Sequence, residues 1–347
     1  MKILDTTIRD GSYAIDFKFS IEEVKDILTK VEKLNMDYVE IGHGMGLNAS
    51  SDKYGYSLHT DEEYIQTARE TLKKTPFGFF CIPGIARMED LKLASENGVS
   101  FVRVGVNANQ FEKAIPYIEE TYKLGITPMM NFMKSYIITP QEFAKNAKVA
   151  KECGAECVYL VDSSGGMLQA DIEKYYETTR EVCDVKIGFH GHNNLGLAVS
   201  NTVFCVNKGF DVVDCSLQGL GRSLGNASTE MVVMTLKKMG WDIDIDIPRL
   251  LEYGYVLLHD LKDNNVFNPL DLVCGYADFH SSYLKDVYKC CSKYKVDPLR
   301  LIIAYSEFDN HNFNYDRLCE CAQTLPKDLE KNPYSFRRYF DKNFVII

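Results

Sequence analysis

The chain has 347 residues, of which 46% are hydrophobic and 25% charged, values of a folded globular protein that exclude a disordered or fibrous chain. Its formal net charge is −10 with no basic run, which argues against nucleic acid and anionic membrane as partners. No apolar stretch approaches the roughly 18 residues of a membrane span, and Asp5, Arg9 and Asp10 stand where a secretory signal would need its apolar core, so a cytoplasmic protein is expected.

Short runs rich in Val, Ile, Phe and Tyr alternate with longer segments of helical periodicity. Strands are expected to begin near Ile3, Tyr38, Phe77, Phe101, Ile126, Cys157, Val185 and Val212. Between and after them, Ile21–Leu34, Asp61–Leu72, Met88–Asn97, Phe111–Leu124, Gln141–Cys153, Asp171–Cys183, Leu197–Lys208 and Ala227–Met239 read as helices. Ser20 with Glu23 and Thr60 with Glu63 form capping boxes, Thr139-Pro140 reads as an N-cap followed by a first-turn proline, and Gly98, Gly125, Gly154 and Gly209 stand where helices should end. Eight such units, without a GxGxxG fingerprint after the first strand, point to an α/β fold of the (β/α)8 TIM-barrel type rather than a doubly wound sheet. Beyond Gly240, Pro248–Leu261, Asp271–Lys293 and Pro298–Tyr305 read as helices without intervening strands, and Phe308–Ile347 as a polar, mixed tail. The expected organisation is a catalytic barrel over residues 1–245 and a small helical C-terminal domain over residues 246–347 that covers the barrel mouth. The eleven cysteines carry no CxxC framework and no zinc-finger spacing, and read as buried or incidental thiols.

In such a barrel the functional side chains emerge at the C-terminal ends of the strands. Those ends are polar here: Arg9 and Asp10 follow the first strand, Glu40 and His43 the second, and the seventh closes on GFHGHNN. His190 and His192, two apart at a strand end, project from one face. Two imidazoles so placed suit a divalent transition metal, and a carboxylate would complete a facial triad with open positions. Only the eighth strand separates the seventh from the first in a closed barrel, so Asp10 can reach the same ion. Glu40 and His43 read either as a pair that orients the metal ligands or as the polar cap of the second strand.

The segments LDTTIRDGSYA, VEIGHGMGL, DSSGGM, GFHGHNNLGLAVSNT, GLGRSLGNASTE and GYADFHSSYL resemble, in order, those of the 4-hydroxy-2-oxoacid (4-hydroxy-2-oxovalerate) aldolases. These are metal-dependent pyruvate aldolases related to hydroxymethylglutaryl-CoA lyase and isopropylmalate synthase. The resemblance runs from Ile3 to about Leu301 and implies a (β/α)8 barrel, a helical C-terminal domain and a divalent ion, usually manganese, with magnesium, cobalt or zinc as alternatives. By matching positions it implies Asp10, His190 and His192 as ligands and Arg9 as the cation beside an enolate oxygen. Asn226 matches a position that contacts the ion in the lyase branch, and is read here as supporting the ligands. The implied partners are a small-molecule 2-oxoacid and an aldehyde, with a homodimer as a compatible assembly.

Two departures from that pattern matter. Where the pyruvate aldolases read RDGSHA, with the histidine as base, this chain has Tyr13. An unperturbed tyrosine has a pKa of about 10 against about 6.5 for histidine, so an unaided phenolate would cost about 4 kcal/mol at neutral pH. In GYADFHSSYL, His280 stands where the family has a tyrosine, while Tyr276 is retained. Either His280 and Tyr13 have exchanged acid–base roles, or Tyr13 is a pocket wall and His280 an exposed helix residue. The candidate catalytic set is therefore Arg9, Tyr13, His280 and Tyr276. Aldolases that pass acetaldehyde to an acylating aldehyde dehydrogenase end in GGQEDMI; this chain reads SEFDNHNFNYDRLCECAQTL there, so that partner is not expected. The expected function is a divalent-metal-dependent aldolase, a carbon–carbon lyase that cleaves or forms a 4-hydroxy-2-oxoacid through a pyruvate enolate. The alternatives are an acyl-CoA-dependent Claisen-condensing transferase, although its RDGEQ signature is absent, and a non-catalytic barrel acting as a binding subunit.

Overall fold

A computed structural model describes residues 1–258, 269–277, 279, 283–308 and 313–327. Eight strand–helix units follow one another: β1 (Lys2–Asp5) and α1 (Ile21–Lys33), β2 (Tyr38–Ile41) and α2 (Asp61–Thr71), β3 (Phe77–Cys81) and α3 (Met88–Glu96), β4 (Phe101–Asn107) and α4 (Ile115–Lys123). The second half repeats the pattern with β5 (Thr127–Met133) and α5 (Pro140–Glu152), β6 (Cys157–Asp162) and α6 (Gln169–Val182), β7 (Lys186–Gly191) and α7 (Ala198–Lys208), β8 (Val212–Cys215) and α8 (Thr229–Lys238). All strand pairs are parallel, and β8 returns to β1 from Lys2–Val212 to Asp5–Cys215, which closes the barrel in sequence order. The expected (β/α)8 TIM barrel is the fold.

Local chemistry sets the element ends. The side chains of Ser20 and Thr60 accept from the backbone N–H groups of Glu23 and Glu63, whose carboxylates bond back to the cap residues, so both capping boxes form. Thr139 accepts from Glu142 N–H ahead of Pro140. Gly98, Gly125, Gly154 and Gly209 all adopt positive φ just past a helix. The fourth helix starts later than its apolar spacing suggests: Ala108–Lys113 form a 3₁₀ turn broken at Gln110, and α4 begins at Ile115 with Pro116 in its first turn.

The chain divides into two compact units, Met1–Val233 and Met234–Ile347. The second contains α9 (Ile247–Leu258), α10 (Pro269–Ala277), α11 (Leu284–Tyr294), α12 (Pro298–Phe308) and α13 (Tyr315–Thr324), gathered on a core that includes Leu270, Val273, Val287, Leu299, Ile302 and Leu318. The segment read as one helix over 271–293 contains α10 and α11 as separate helices. The tail read as polar and mixed contains α13, capped by Asn314 and burying Leu318, Cys319 and Ala322 at helical spacing. No described helix is long and apolar enough to cross a membrane.

Alternation along the strands decides what fills the barrel. Near the N-terminal ends, Leu4, Phe101, Met129, Cys157 and Val212 form an apolar plug with Tyr38 against it. Two residues further along their strands stand Glu40, Arg103, Asn131, Tyr159 and Asp214, all buried. The interior is thus apolar below and carries its buried charges above.

Candidate functional site

The ionic layer is a closed loop of contacts. Arg9 Nε donates to Glu40 Oε2 at 2.6 Å, and its Nη1 donates to Asp10 Oδ1 at 2.7 Å. Glu40 Oε1 faces Arg103 Nε at 3.0 Å, and Arg103 Nη1 donates to Asp214 Oδ2. Asp214 Oδ2 also lies 2.8 Å from His190 Nδ1, and His190 Nε2 lies 3.8 Å from Asp10 Oδ2, which completes the loop. Arg103 is fully buried, with its guanidinium 4.5 Å from the Tyr159 ring centroid and 5.8 Å from that of Phe80. Burial works against the charges of both arginines, but Glu40 with Asp10 raises the Arg9 pKa, and Asp214 with Glu40 raises that of Arg103.

Asp10, His190 and His192 each offer a ligand atom, and these atoms lie within 4.8 Å of one another. The protonation states suit a cation. Burial alone would push Asp10 up, yet Arg9, the two imidazoles and the Asn226 amide hold it well below the usual carboxylate range. Burial lowers His192 to about 4, which leaves a neutral imidazole with a free lone pair at neutral pH. Among the described residues, His192 Nδ1 and Asn226 Oδ1 are buried without a hydrogen-bond partner, the kind of orphaned polar atoms that an ion would satisfy. Asp214 is in turn held below the carboxylate range by Arg103 and His190 against its own burial. Its bond at His190 Nδ1 directs His190 Nε2 towards Asp10, the orienting role expected behind a metal-ligating histidine.

The other expected residues fall into place around this centre. Asn226 Nδ2 donates to Asp10 Oδ2 at 2.6 Å, from a loop whose Gly225 adopts φ +91° and whose added Cβ would lie 2.1 Å from the Gly219 carbonyl. Glu40 braces Arg9 from below. His43 is turned to the backbone: Nδ1 accepts from Met45 N–H at 3.0 Å, Nε2 faces Gly55 O at 3.2 Å, and Phe17 stacks on the ring. It pins the loop after β2. Tyr13 lies in the 3₁₀ turn Gly11–Ile15, its ring so close to Gly44 that an added Cβ there would lie 2.6 Å from it, and its hydroxyl donates to Met45 Sδ at 2.9 Å. Burial and the nearby Asp10 raise the Tyr13 pKa, so its proton is held. Tyr276 is half-buried on α10, with Glu307 and Lys238 as charged neighbours. His280 lies outside the described residues.

Arg9, Asp10, Tyr13, His190 and His192 open together onto a cleft of about 580 Å³ at the C-terminal ends of the strands. The sequence profile of the HMGL-like family matches residues 1–256. The chain belongs to the HMGL-like family. A relative, the 4-hydroxy-2-oxovalerate aldolase of Pelotomaculum thermopropionicum, is 32% identical over 303 residues, which cover 87% of this chain and 89% of that one. The oxaloacetate decarboxylase of Mycobacterium tuberculosis is 36% identical over 250 residues, covering 72% of this chain and 74% of its own. The HMG-CoA lyase of Brucella melitensis shares the fold, with a TM-score of 0.64 over 75% of this chain and 98% of that chain at 18% identity. Several curated aldolases match at this level, and this HMGL-like chain is an enzyme of the aldolase, or lyase, type.

Two members of the ionic loop, Arg103 and Asp214, stand at polar strand positions but carry no separate signal of function in the sequence. The available signal was alternation: Phe101-Val-Arg103-Val and Val212-Val-Asp214 each put the charge on the same face as an apolar plug residue.

Proposed function

We propose that the protein is a divalent-metal-dependent aldolase that cleaves or forms a 4-hydroxy-2-oxoacid, with pyruvate as one fragment and manganese as the ion. The observation that carries this reading is the convergence of Asp10, His190 and His192 beside Arg9 at one end of the cleft. An ion held there would supply Lewis acidity towards the 2-oxo and carboxylate oxygens of a bound 2-oxoacid. Cleavage passes the proton of the 4-hydroxyl to water in the cleft, breaks the C3–C4 bond and leaves its electron pair on the pyruvate fragment as an enolate, which takes a proton back at C3. Arg9, fixed by Glu40 and Asp10, places a permanent positive charge where the enolate oxygen develops, and pays no reorganisation cost during the reaction. Tyr13 borders the cleft as a neutral phenol, suited to giving a proton rather than taking one.

That last property favours a second reading, decarboxylation of a 3-carboxy-2-oxoacid such as oxaloacetate, whose C4 is the departing carboxylate. Loss of CO2 breaks the equivalent C3–C4 bond and delivers the same enolate without a base, after which a phenol can protonate C3. The relative named as an oxaloacetate decarboxylase supports it. An assay with pyruvate, manganese and a panel of aldehydes, run beside one with oxaloacetate and manganese and an enzyme-free control, with products identified by mass spectrometry, separates the two. The aldolase reading expects 4-hydroxy-2-oxoacids. Pyruvate from oxaloacetate with no condensation would favour the decarboxylase, and condensation only with an acyl-CoA would contradict both.

A further inference from the structure

The cleft carries more positive charge than the ion site uses. Its titratable lining comprises Arg9, Asp10, Tyr13, Tyr54, Lys134, Tyr136, His190, His192 and Arg222. Arg9 is already compensated by Asp10 and Glu40. Lys134 and Arg222 are exposed, and neither forms an ion pair among the described residues. This is unusual company for a chain of net charge −10. Asp10, the one carboxylate in the lining among the described residues, is bonded to Arg9 and Asn226.

The placement of the two cations is specific. Tyr13 stands three residues beyond Asp10, and its hydroxyl is tied to Met45. The Arg222 guanidinium lies 5.4 Å from the Tyr13 ring centroid, so one wall of the cleft passes from metal ligand to aromatic ring to guanidinium. Lys134 takes a left-handed conformation (φ 54°) directly after β5, with its N–H donating to Ser163 Oγ at 2.9 Å. That bond anchors its backbone at the end of the strand, at a residue that lines the same cleft.

We propose that Arg222 and Lys134 recognise a second anionic group on the substrate, so that the fragment beyond the scissile bond carries a carboxylate or phosphate and the enzyme takes dianionic 2-oxoacids. This rests on the aldolase reading, with the pyruvate end of the substrate at Asp10, His190, His192 and Arg9. It also refines that reading. A carboxylate attached directly at the scissile bond and held by a guanidinium would be stabilised as the anion, which opposes loss of CO2. Two cations at a partly solvated site, each able to make a charge-assisted hydrogen bond, give an expected preference of about tenfold.

Calorimetric titration of the full chain with saturating manganese tests this with ligands that need not react. The matched pairs are 2-oxopentanoate against 2-oxopentanedioate, and 2-oxohexanoate against 2-oxohexanedioate, with a terminally phosphonylated 2-oxoacid as a third arm. The dianions should bind about tenfold tighter, and the stronger of the carboxylate and phosphonate arms identifies the group recognised. In Arg222→Ala/Lys134→Ala the preference should fall to within about twofold. Raising ionic strength to about 1 M, where the Debye length is about 3 Å, should shrink it in the wild-type protein. Equal affinity for the two members of each pair in the wild type would overturn the inference and leave the aldolase reading standing. A preference that survives the double substitution would overturn the assignment to these residues. Binding of neither member would overturn the aldolase reading and this inference with it.

Discussion

The two halves of the barrel interior are built by the same alternation and do opposite work. Towards the N-terminal ends of the strands, Leu4, Phe101, Met129, Cys157 and Val212 close the barrel with apolar side chains. Two residues on, Glu40, Arg103 and Asp214 put charges into an equally buried layer, and these lead to Arg9, Asp10 and His190 at the cleft. The apolar plug needs only volume and shape. The ionic layer is costly to bury and holds only because each charge has an opposite neighbour. The comparison teaches where function sits in such a barrel: stability is supplied below, and charge is positioned above at the expense of stability.

Removing one partner from the upper layer should be the most damaging change. Arg103→Met leaves Glu40 and Asp214 buried without their shared cation, and should cost about 3–5 kcal/mol in urea unfolding, the usual scale for breaking a buried ion pair. A cost below about 1 kcal/mol would mean that the loop of contacts is dispensable. Arg9→Lys keeps the charge but loses the planar fork that serves Glu40 and Asp10 together. Turnover should fall about 100-fold with metal content unchanged, and near-wild-type turnover would make Arg9 structural. Asp214→Asn keeps the shape but not the charge behind His190, and should weaken manganese affinity about 10- to 100-fold in a chelator competition. Unchanged affinity would remove Asp214 from the ion site. In the lower half, Met129→Leu conserves volume and should cost less than about 1.5 kcal/mol, with kcat and manganese affinity unmoved. A loss of activity there would break the division between the halves.

The barrel was legible in the sequence because its signals are local. Strand starts came within one residue, and the capping boxes at Ser20 and Thr60 and the glycines after the helices acted as read. The separation of α10 from α11, and the presence of α13, were not legible, because no strand or strong terminator marks them and their apolar spacing is short. At the site, Asp10, His190 and His192 could be read from strand-end position, and the structure brings them together. His43 could not, since what its nitrogens bond depends on how the loop after β2 folds back to Gly55. Nor could Arg222, whose approach to Tyr13 joins the loop after β8 to the turn after β1.

Deuterium incorporation at the methyl group of pyruvate, followed by mass spectrometry in D2O, tests the central claim most directly. The claim is that Asp10, His190 and His192 hold an ion that, with Arg9, favours the pyruvate enolate. Exchange should require added manganese, stop on chelation, and be lost in His192→Ala together with the bound metal while the variant remains folded by circular dichroism. Exchange at the wild-type rate in the chelated protein, or in a His192→Ala variant that still carries a full equivalent of metal, would contradict it.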